Sequence, residues 1–257
     1  MGNRIKELFE KKKEGILNVY FTAGHPHLED TVKVAKHLSN NGVDLIELGM
    51  PYSDPLADGK TIQESSQTAL ANGMTLKTLI AQVNEIRSYT EIPMIAMGYF
   101  NQMMQYGSEN FLRDLSQAGI DGLIIPDMPM YVYKDEYEAL FQKYNLTISF
   151  LITPETSDER IQLADELSSA FIYVVSKSSI TGSADDISDQ QRAYFNHINS
   201  MQLKSPRLIG FGIHNKATYD VACSYSQGAI IGSAFIRALE KEGSLSEKVS
   251  SFLSTVR

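Results

Sequence analysis

The amino-acid sequence predicts an α/β protein folded as one (β/α)8 barrel, a single domain over residues 1–257. Short apolar runs of strand character alternate with helical patterns along the whole chain, and eight such units fit the roughly 250 residues usual for this barrel. No Pro-, Gly- or Ser-rich linker divides the chain. No G-x-G-x-x-G motif follows the first strand, which argues against an open dinucleotide-binding sheet.

The elements are predicted from periodicity and from stop signals. The chain opens with an amphipathic helix at 3–11, whose spacing suits an N-terminal cap on the barrel. Strands are predicted at 17–23, 44–48, 92–98, 122–126, 146–152, 171–175, 207–210 and 229–231. Helices are predicted at 28–38, 62–87 (one helix or a pair), 109–117, 135–144, 158–167, 190–200, 217–224, 234–240 and 245–256, the last ones including extra short helices.

A weak internal echo supports the repeated architecture. The segment NGVDLI at 41–46 resembles AGIDGL at 118–123, and SQGAII at 226–231 is a looser version. A glycine before each strand suits a left-handed helix stop, and an Asp entering a strand suits the solvent-facing bottom of a barrel. We interpret this echo as architecture and not as chemistry.

The composition limits the partners and the location. The 43% hydrophobic content is enough for one large core, and the net charge of -8, with no basic cluster beyond residues 11–13, argues against nucleic acid or an anionic membrane as partner. The single cysteine, Cys223, cannot form an internal disulfide, and the N-terminus is charged where a signal peptide is apolar. We expect a cytoplasmic protein without a membrane span.

A carboxylate inside the second predicted strand is the strongest chemical signal. Glu47 lies in an apolar run that should be buried on both faces, where an unpaired charge costs several kcal/mol, roughly. A structural ion pair and a catalytic acid or base both explain it. The loop that follows holds Ser53, Asp54 and Asp58 between Gly and Pro residues, so it could return a second carboxylate to Glu47. In a barrel the chemistry lies at the C-terminal ends of the strands, where Glu47, Asp127 and Tyr173 fall.

Three glycine-containing loops follow late strands, at 179–183, 210–213 and 232–234. In these barrels the loops after strands seven and eight, with the N-terminus of a short extra helix, commonly bind phosphate, and Gly232-Ser233 has that form. A phosphorylated small substrate is the prediction. The alternative is that the glycines only make tight turns.

Other reactive residues lack the spacing that their chemistry needs. The five histidines show no H-x-x-x-H or H-E-x-x-H pattern, so we predict no metal, and we expect solvated or capping histidines. Ser178-Ser179 has no G-x-S-x-G context, and Cys223 lies in a helical stretch without a nearby base. The methionines are expected in the core or lining an apolar pocket.

Four motifs in order carry a resemblance to a known family. They are ELGMPYSDPLADG at 47–59, MGY at 97–99 followed by Asn101, GLIIPDMP at 122–129 and GFGI at 210–213. Together they resemble the tryptophan synthase alpha subunit family over nearly the whole chain. The resemblance implies a TIM barrel that cleaves indole-3-glycerol phosphate to indole and glyceraldehyde 3-phosphate in tryptophan biosynthesis.

The resemblance also implies roles for particular residues. The catalytic positions of the family match Glu47, Asp58 and Tyr173, the last on predicted strand six. The substrate- and phosphate-binding positions match Tyr20, Tyr99, Asp127, Thr181, Gly182, Gly212, Gly232 and Ser233, with Thr181 in a mobile loop. A β subunit is implied as partner in an α2β2 heterotetramer, docked at Pro51, Asp54 and Asn101. Pyridoxal phosphate is expected in that subunit and no cofactor in this chain.

The chain departs from the family pattern at a few positions, and alternatives stay open. Lys60 stands where the family usually has Pro, His25 where it usually has Asp, and residues 130–133 replace a commoner acidic continuation. Asp54 could instead cap a turn. A stand-alone lyase that releases free indole, another phosphate-binding barrel isomerase or cyclase, and a non-enzymatic regulatory subunit are the alternative functions.

Overall fold

The computed structural model describes residues 2–176, 188–210 and 212–257. Within these residues one parallel sheet runs β5-β4-β3-β2-β1-β9-β8-β7-β6. The strands are Ile16–Thr22 (β1), Leu45–Gly49 (β2), Met94–Met97 (β3), Gly122–Ile124 (β4), Thr147–Ile148 (β5), Leu151–Ile152 (β6), Ile172–Val175 (β7), Arg207–Gly210 (β8) and Gly228–Ile231 (β9).

The two edge strands, β5 and β6, are the halves of one barrel strand. Only Ser149 and Phe150 separate them, and both residues continue the pairing: Ser149 N donates to Leu123 O at 3.1 Å, and Tyr173 N donates to Phe150 O at 2.9 Å. The first half pairs with β4 and the second with β7. The sheet therefore closes on itself, and the predicted eight-stranded barrel is confirmed, with Tyr173 on its sixth strand.

Helices surround the sheet. They are Arg4–Lys11 (α1), Asp30–Asn40 (α2), Lys60–Ala71 (α3), Leu76–Arg87 (α4), Phe100–Tyr106 (α5), Ser108–Ala118 (α6), Met130–Val132 (α7), Glu138–Lys143 (α8), Asp158–Leu167 (α9), Asp189–Ser200 (α10), Lys216–Tyr225 (α11), Ser233–Leu239 (α12) and Leu245–Ser254 (α13). In the part of the chain that is described, no helix is long and apolar enough to cross a membrane.

Most predicted helices are confirmed within a few residues, and two predictions need correction. Helix α5, which follows β3 directly, was not predicted. The helix predicted at 135–144 begins at Met130 instead and passes through a π-helical turn, Tyr133–Tyr137, before α8. The stretch 62–87, which was predicted as one helix or a pair, forms a pair of helices, α3 and α4.

Strand alternation divides the core into two layers. On β1 the outward residues Leu17, Val19 and Phe21 pack beneath the helices, whereas Ile16 and other inward residues fill the barrel. Helix α1 closes the bottom of the barrel because Ile5 and Phe9 join this inner cluster. The predicted capping role of the first helix is confirmed.

Carboxylates at the bottom of the barrel are paired with cations. Asp121, which precedes β4, lies 3.0 Å from Arg4 and 3.1 Å from Arg87, and Asp44, which precedes β2, lies 2.7 Å from both Lys12 and Arg257. These ion pairs tie the two chain ends and helix α4 to the sheet. The architectural interpretation of the Asp residues in the repeated segments agrees with this pairing.

The glycines of the same repeated segments differ among themselves. Gly42 and Gly119 have φ of 77° and 107°, the predicted left-handed stops. Gly228 lies in β9 without a positive φ, so the predicted helix stop is wrong there. A Cβ at Gly228 would overlap the backbone of Ile16 on β1, so close strand approach is the reason for this glycine.

Candidate active site

Glu47 points into the barrel near the C-terminal end of β2. Its side chain is 1% exposed, and Asn18 Nδ2 donates a hydrogen bond of 2.8 Å to its Oε2. Burial raises the pKa of Glu47 to about 8; the charge of Asp58 acts in the same direction, and the hydrogen bond from Asn18 opposes it. No cation among the described residues pairs with Glu47, so the ion-pair interpretation finds no support in that part of the chain.

Asp58 lies in the loop between β2 and α3, which places it beside Glu47. Tyr99 donates a hydrogen bond of 3.0 Å from its hydroxyl to Asp58 Oδ2. Desolvation raises the pKa of Asp58 to about 6, although the bond from Tyr99 lowers it. The two carboxyl groups are close enough for the charge of Asp58 to raise the pKa of Glu47. The loop therefore returns a second carboxylate to the first, as predicted.

Tyr99 holds the loop between β2 and α3 in place. The Tyr99 hydroxyl also accepts a hydrogen bond of 3.0 Å from Ala57 N, and its ring stacks on Tyr52 with centroids 5.1 Å apart. Asn101 Nδ2 donates to the Tyr52 hydroxyl at 2.9 Å, and Gln102 Nε2 donates to Pro51 O at 3.0 Å. The segment that follows β3 thereby fixes the loop that carries Asp58.

Two buried tyrosines, Tyr20 and Tyr173, flank the carboxyl groups inside the barrel. Tyr20 is the register partner of Glu47, and the pKa of both phenols is raised by burial and by the charges of Asp58 and Glu47, so both stay protonated. A Cβ at Gly49 would overlap the Tyr20 hydroxyl, and one at Gly210 would overlap the Tyr173 ring. These glycines make room for the tyrosines, which is a reason for Gly210 other than phosphate binding.

A pocket next to Tyr173 collects the predicted phosphate residues. Gly212, Gly232 and Ser233 line it, together with Ile62 and Arg237. Gly212 has a φ of 79°, a conformation that favours glycine, and Gly232 is the N-cap of α12, the predicted extra helix. Thr181 and Gly182 lie outside the described residues.

A second pocket borders Tyr99. It is lined by Tyr52, Asp54, Leu56, Ala57, Tyr99, Pro126 and Asp127. Asp127 does not join the phosphate pocket: its side chain is exposed, and its Oδ1 accepts a hydrogen bond of 2.8 Å from Phe100 N at the start of α5. Asp54 is exposed and accepts a hydrogen bond of 3.3 Å from the Ser53 hydroxyl.

Two of the three departures from the family pattern, Lys60 and His25, form their ion pairs with residues other than Glu47 and Asp58. Lys60 is 88% exposed and lies 3.6 Å from Glu64, one turn along α3, so it points away from Asp58. His25 is 4% exposed, its Nε2 lies 3.4 Å from Glu240, and burial lowers its pKa. The expectation that the histidines are solvated or capping is therefore wrong for His25.

Sequence reasoning missed Asn18, Tyr52 and Arg237. Asn18 is the one polar side chain between the apolar residues of ILNVY at 16–20, which is a visible signal because β1 is buried on both faces. Arg237 lies one helical turn after Ser233, and its Nη1 donates a hydrogen bond of 3.3 Å to Thr61. No signal in the sequence indicates that Tyr52 stacks on Tyr99.

Metal-binding and thiol chemistry find no site in the described part of the chain. No group of three or more His, Cys, Asp or Glu side chains there could hold a metal ion. Cys223 lies in α11, and burial raises the pKa of its thiol.

The raised pKa of Glu47 makes the stability of the fold depend on pH. An unfolded glutamate ionises near 4.5 and folded Glu47 near 8, so its stabilising contribution is complete below pH 4.5 and is lost as pH rises through the folded pKa. We expect Glu47→Gln to be more stable than wild type at pH 7 by an amount on the order of 3 kcal/mol, and the difference to vanish near pH 4. Urea unfolding across this range measures it.

The control for this prediction is Glu10→Gln, which removes an exposed carboxylate from α1. It should follow the wild-type curve at every pH. Equal pH slopes for wild type and Glu47→Gln would contradict the desolvation of Glu47.

The chain is similar to known proteins over nearly its whole length. A family model described as "Tryptophan synthase alpha chain" matches residues 6–256. The tryptophan synthase alpha chain of Flavobacterium johnsoniae is 52% identical over 255 residues, which cover 99% of this chain and 100% of the relative. The alpha chain from Legionella pneumophila subsp. pneumophila superposes with a TM-score of 0.89 at 30% identity, covering 100% of this chain and 96% of that chain. A tryptophan synthase complex from Pyrococcus furiosus gives a TM-score of 0.85 at 29% identity, covering 95% and 98%. This chain belongs to the tryptophan synthase alpha chain family.

Proposed function

We propose that this chain is a lyase that cleaves indole-3-glycerol phosphate to indole and glyceraldehyde 3-phosphate, acting as the alpha subunit of tryptophan synthase in the cytoplasm. The observation that carries the proposal is a pair of neighbouring carboxyl groups with different acidities. At pH 7 Glu47, with a pKa of about 8, is mostly protonated, while Asp58, with a pKa of about 6, is mostly ionised. One carboxylic acid and one carboxylate are therefore present together.

A retro-aldol cleavage uses an acid that becomes a base. Glu47 gives its proton to C3 of the indole ring, and the ring nitrogen takes up the positive charge. The Glu47 carboxylate then removes the proton of the adjacent glycerol hydroxyl, and that C–O bond becomes the carbonyl of glyceraldehyde 3-phosphate. The electrons of the broken C–C bond return to the ring and neutralise the cation. Glu47 ends protonated, ready for the next cycle.

Asp58 stabilises the cation that forms between the two proton transfers. An ionised carboxylate near the indole N–H is a fixed charge of the sign that the cation needs, worth roughly 3–4 kcal/mol when well placed. Tyr99 and the stacked Tyr52 hold Asp58 in position before the substrate arrives. Such preorganisation avoids the cost of ordering the loop during the reaction.

The phosphate is assigned to the pocket lined by Gly212, Gly232 and Ser233. Backbone N–H groups at the start of α12 can donate to phosphate oxygens, and Arg237 supplies a cation at the same pocket. Tyr173 lines this pocket, and the charge of Glu47 contributes to the raised pKa of its phenol. It therefore connects the phosphate end of the substrate with the reacting end. The other phosphate-binding positions of the family, Thr181 and Gly182, are proposed to complete this pocket.

The partner surface is proposed on the segments that follow β2, β3 and β4. Three large apolar side chains are exposed there: Leu56 is 91% exposed, Met104 55% and Tyr131 67%. Because the three strands are neighbours, these side chains lie at the same end of the barrel as Pro51, Asp54 and Asn101. The β subunit would seal this end, retain the apolar product indole and supply the pyridoxal phosphate for its own reaction. This chain is proposed to need no cofactor.

A stand-alone lyase remains the second candidate, and one observation favours it. The loop that carries Asp58 already has its hydrogen bonds to Tyr99 and Gln102 in the chain by itself. A loop ordered without the β subunit could support cleavage without it. The partner experiment below separates the two functions.

The first prediction for this function concerns the two carboxyl groups. Glu47→Gln and Asp58→Asn keep the shape of the side chains and remove the transferable proton or the fixed charge. Each should lower the rate of indole release by about a thousandfold or more, since each removes a group that acts in the transition state. Indole release from indole-3-glycerol phosphate, with circular dichroism as the check on folding, measures this. A folded variant with near wild-type turnover would remove that residue from the mechanism.

The second prediction concerns the phosphate pocket. Gly232→Asp places a negative charge in the pocket and should raise the KM at least about tenfold by repelling the phosphate. Gly232→Ala is the matched control, because a Cβ at this position lies 3.4 Å from its nearest neighbour, on Tyr20, and φ is not in the left-handed region. Calorimetric titration measures the dissociation constant of glycerol 3-phosphate for both variants, which should change as the KM does. Equal binding by folded Gly232→Asp and wild type would place the phosphate elsewhere.

The third prediction concerns the partner. Wild-type chain mixed with its cognate β subunit should form a complex and cleave indole-3-glycerol phosphate faster, and Asp54→Ala should weaken both effects. Glu14→Ala, an exposed carboxylate just before β1 at the opposite end of the barrel, is the matched control. Sedimentation and the cleavage rate measure the response. If wild type neither binds nor responds, the chain is the stand-alone lyase; if Asp54→Ala responds fully, Asp54 only shapes its own loop.

A further inference from the structure

Asn18 is the one residue of the described chain that hydrogen-bonds directly to the side chain of Glu47. It lies on β1 with an exposure of 0%, and its Nδ2 donates to Glu47 Oε2 at 2.8 Å. In this contact the amide nitrogen is the donor, and Oε2 accepts either as a carboxylate oxygen or as the carbonyl oxygen of the protonated acid. Neither the proton transfers nor the phosphate pocket described above uses Asn18.

Only the nitrogen of the Asn18 amide has a hydrogen-bond partner among the described residues. Its Oδ1 is buried and has no hydrogen-bond partner among the described residues. A buried acceptor without a partner destabilises a fold, and an apolar side chain of similar size would avoid that cost at this inward position. The hydrogen bond to Glu47 is therefore the contact that an apolar residue could not replace.

The hydrogen bond distinguishes the two oxygens of Glu47. Oε2 accepts from Asn18, whereas Oε1 accepts no hydrogen bond from the described residues. When Glu47 is protonated, a proton on Oε2 would face the amide N–H groups, donor against donor. The proton therefore resides on Oε1 while Oε2 stays an acceptor.

The charges around Glu47 leave Asn18 as the group that favours its ionised form. Tyr20 on β1, Tyr173 on β7 and Asp58 in the loop after β2 are the titratable groups that interact with Glu47. Burial and the charge of Asp58 both raise the pKa of Glu47, and the hydrogen bond from Asn18 lowers it. Without Asn18 the carboxylate formed after proton transfer would lose its neutral donor.

We propose that Asn18 is a positioning residue for the cleavage reaction: its amide engages Oε2 of Glu47 and so leaves Oε1 as the oxygen that gives the proton to indole C3 and takes the proton from the glycerol hydroxyl. The inference rests on the proposed function, because it uses the same two proton transfers. The proton leaves Oε1 for C3 and returns to Oε1 from the hydroxyl, so no further reactant is needed.

The test compares Asn18→Leu, which removes the amide at similar volume, with wild type over a range of pH. The kcat at pH 7 should fall about tenfold with KM changed less than about twofold, and the pH inflection assigned to Glu47 should move up by about one unit, the effect of one lost hydrogen bond to a charged group. Asn18→Asp, which keeps the shape but loses the donor, should shift the inflection in the same direction. Thr147→Val, another buried hydrogen-bonding residue in the barrel, is the control and should move neither quantity.

A second readout follows the Glu47 carboxyl directly and without turnover. Its carboxyl carbon can be titrated by carbon-13 NMR, with the signal identified by its absence in Glu47→Gln, and the midpoint should be higher in Asn18→Leu. If Asn18→Leu fails to fold, Asn18→Asp carries the same test. Unchanged kcat and an unchanged midpoint in a folded variant would overturn the role of Asn18. Absence of cleavage by wild type would instead overturn the proposed function.

Discussion

The carboxyl group of Glu47 lies inside a closed barrel, where water cannot solvate its charge, and the rest of the site is arranged around that constraint. Desolvation keeps Glu47 protonated near neutral pH, which is the state that the proposed proton transfer to carbon requires. The nearest tyrosines stay protonated for the same reason, so the barrel interior carries donors and few charges. Asp58 can remain ionised because it belongs to a loop at the mouth and not to a strand. The difference between the two carboxyl groups therefore comes from depth in the barrel.

The position of Asp58 depends on a segment that carries no reacting group. The residues that follow β3 hold the loop after β2 through the Tyr99 hydroxyl, the Tyr52–Tyr99 stack and the Asn101 and Gln102 side chains. The proposed partner surface includes the same residues, Pro51 and Asn101. A protein that docks there would contact the residues that hold Asp58 in position. Binding would therefore influence the position of Asp58, and through it the reaction, directly. No long-range path through the barrel is required.

The sequence was sufficient for the barrel, since eight strands with glycine stops and apolar alternation leave few other arrangements, and for Glu47, since a charge inside an apolar strand needs a reason. Asp58 was predicted because it lies in the loop that directly follows the strand of Glu47. Asn18 was missed because its importance depends on the register between β1 and β2, which the sequence alone does not specify. His25 was placed wrongly because its surroundings are set by residues distant in the sequence, such as Glu240, more than two hundred positions away. Helix α5 was missed because its seven residues are too few for an apolar period.

The carboxyl groups at the two ends of the barrel have different kinds of partner. At the bottom, Asp44 and Asp121 are each paired with two cations, which makes them part of the scaffold. At the mouth, Glu47 has a neutral amide as its partner and Asp58 a phenol, so neither has its proton affinity fixed by a salt bridge. A cation at either position would hold that carboxylate ionised, and Glu47 could not then act as an acid. The neutral donors orient the carboxyl groups while leaving their protonation free to change, and the proposed alternation of Glu47 between acid and base requires this combination.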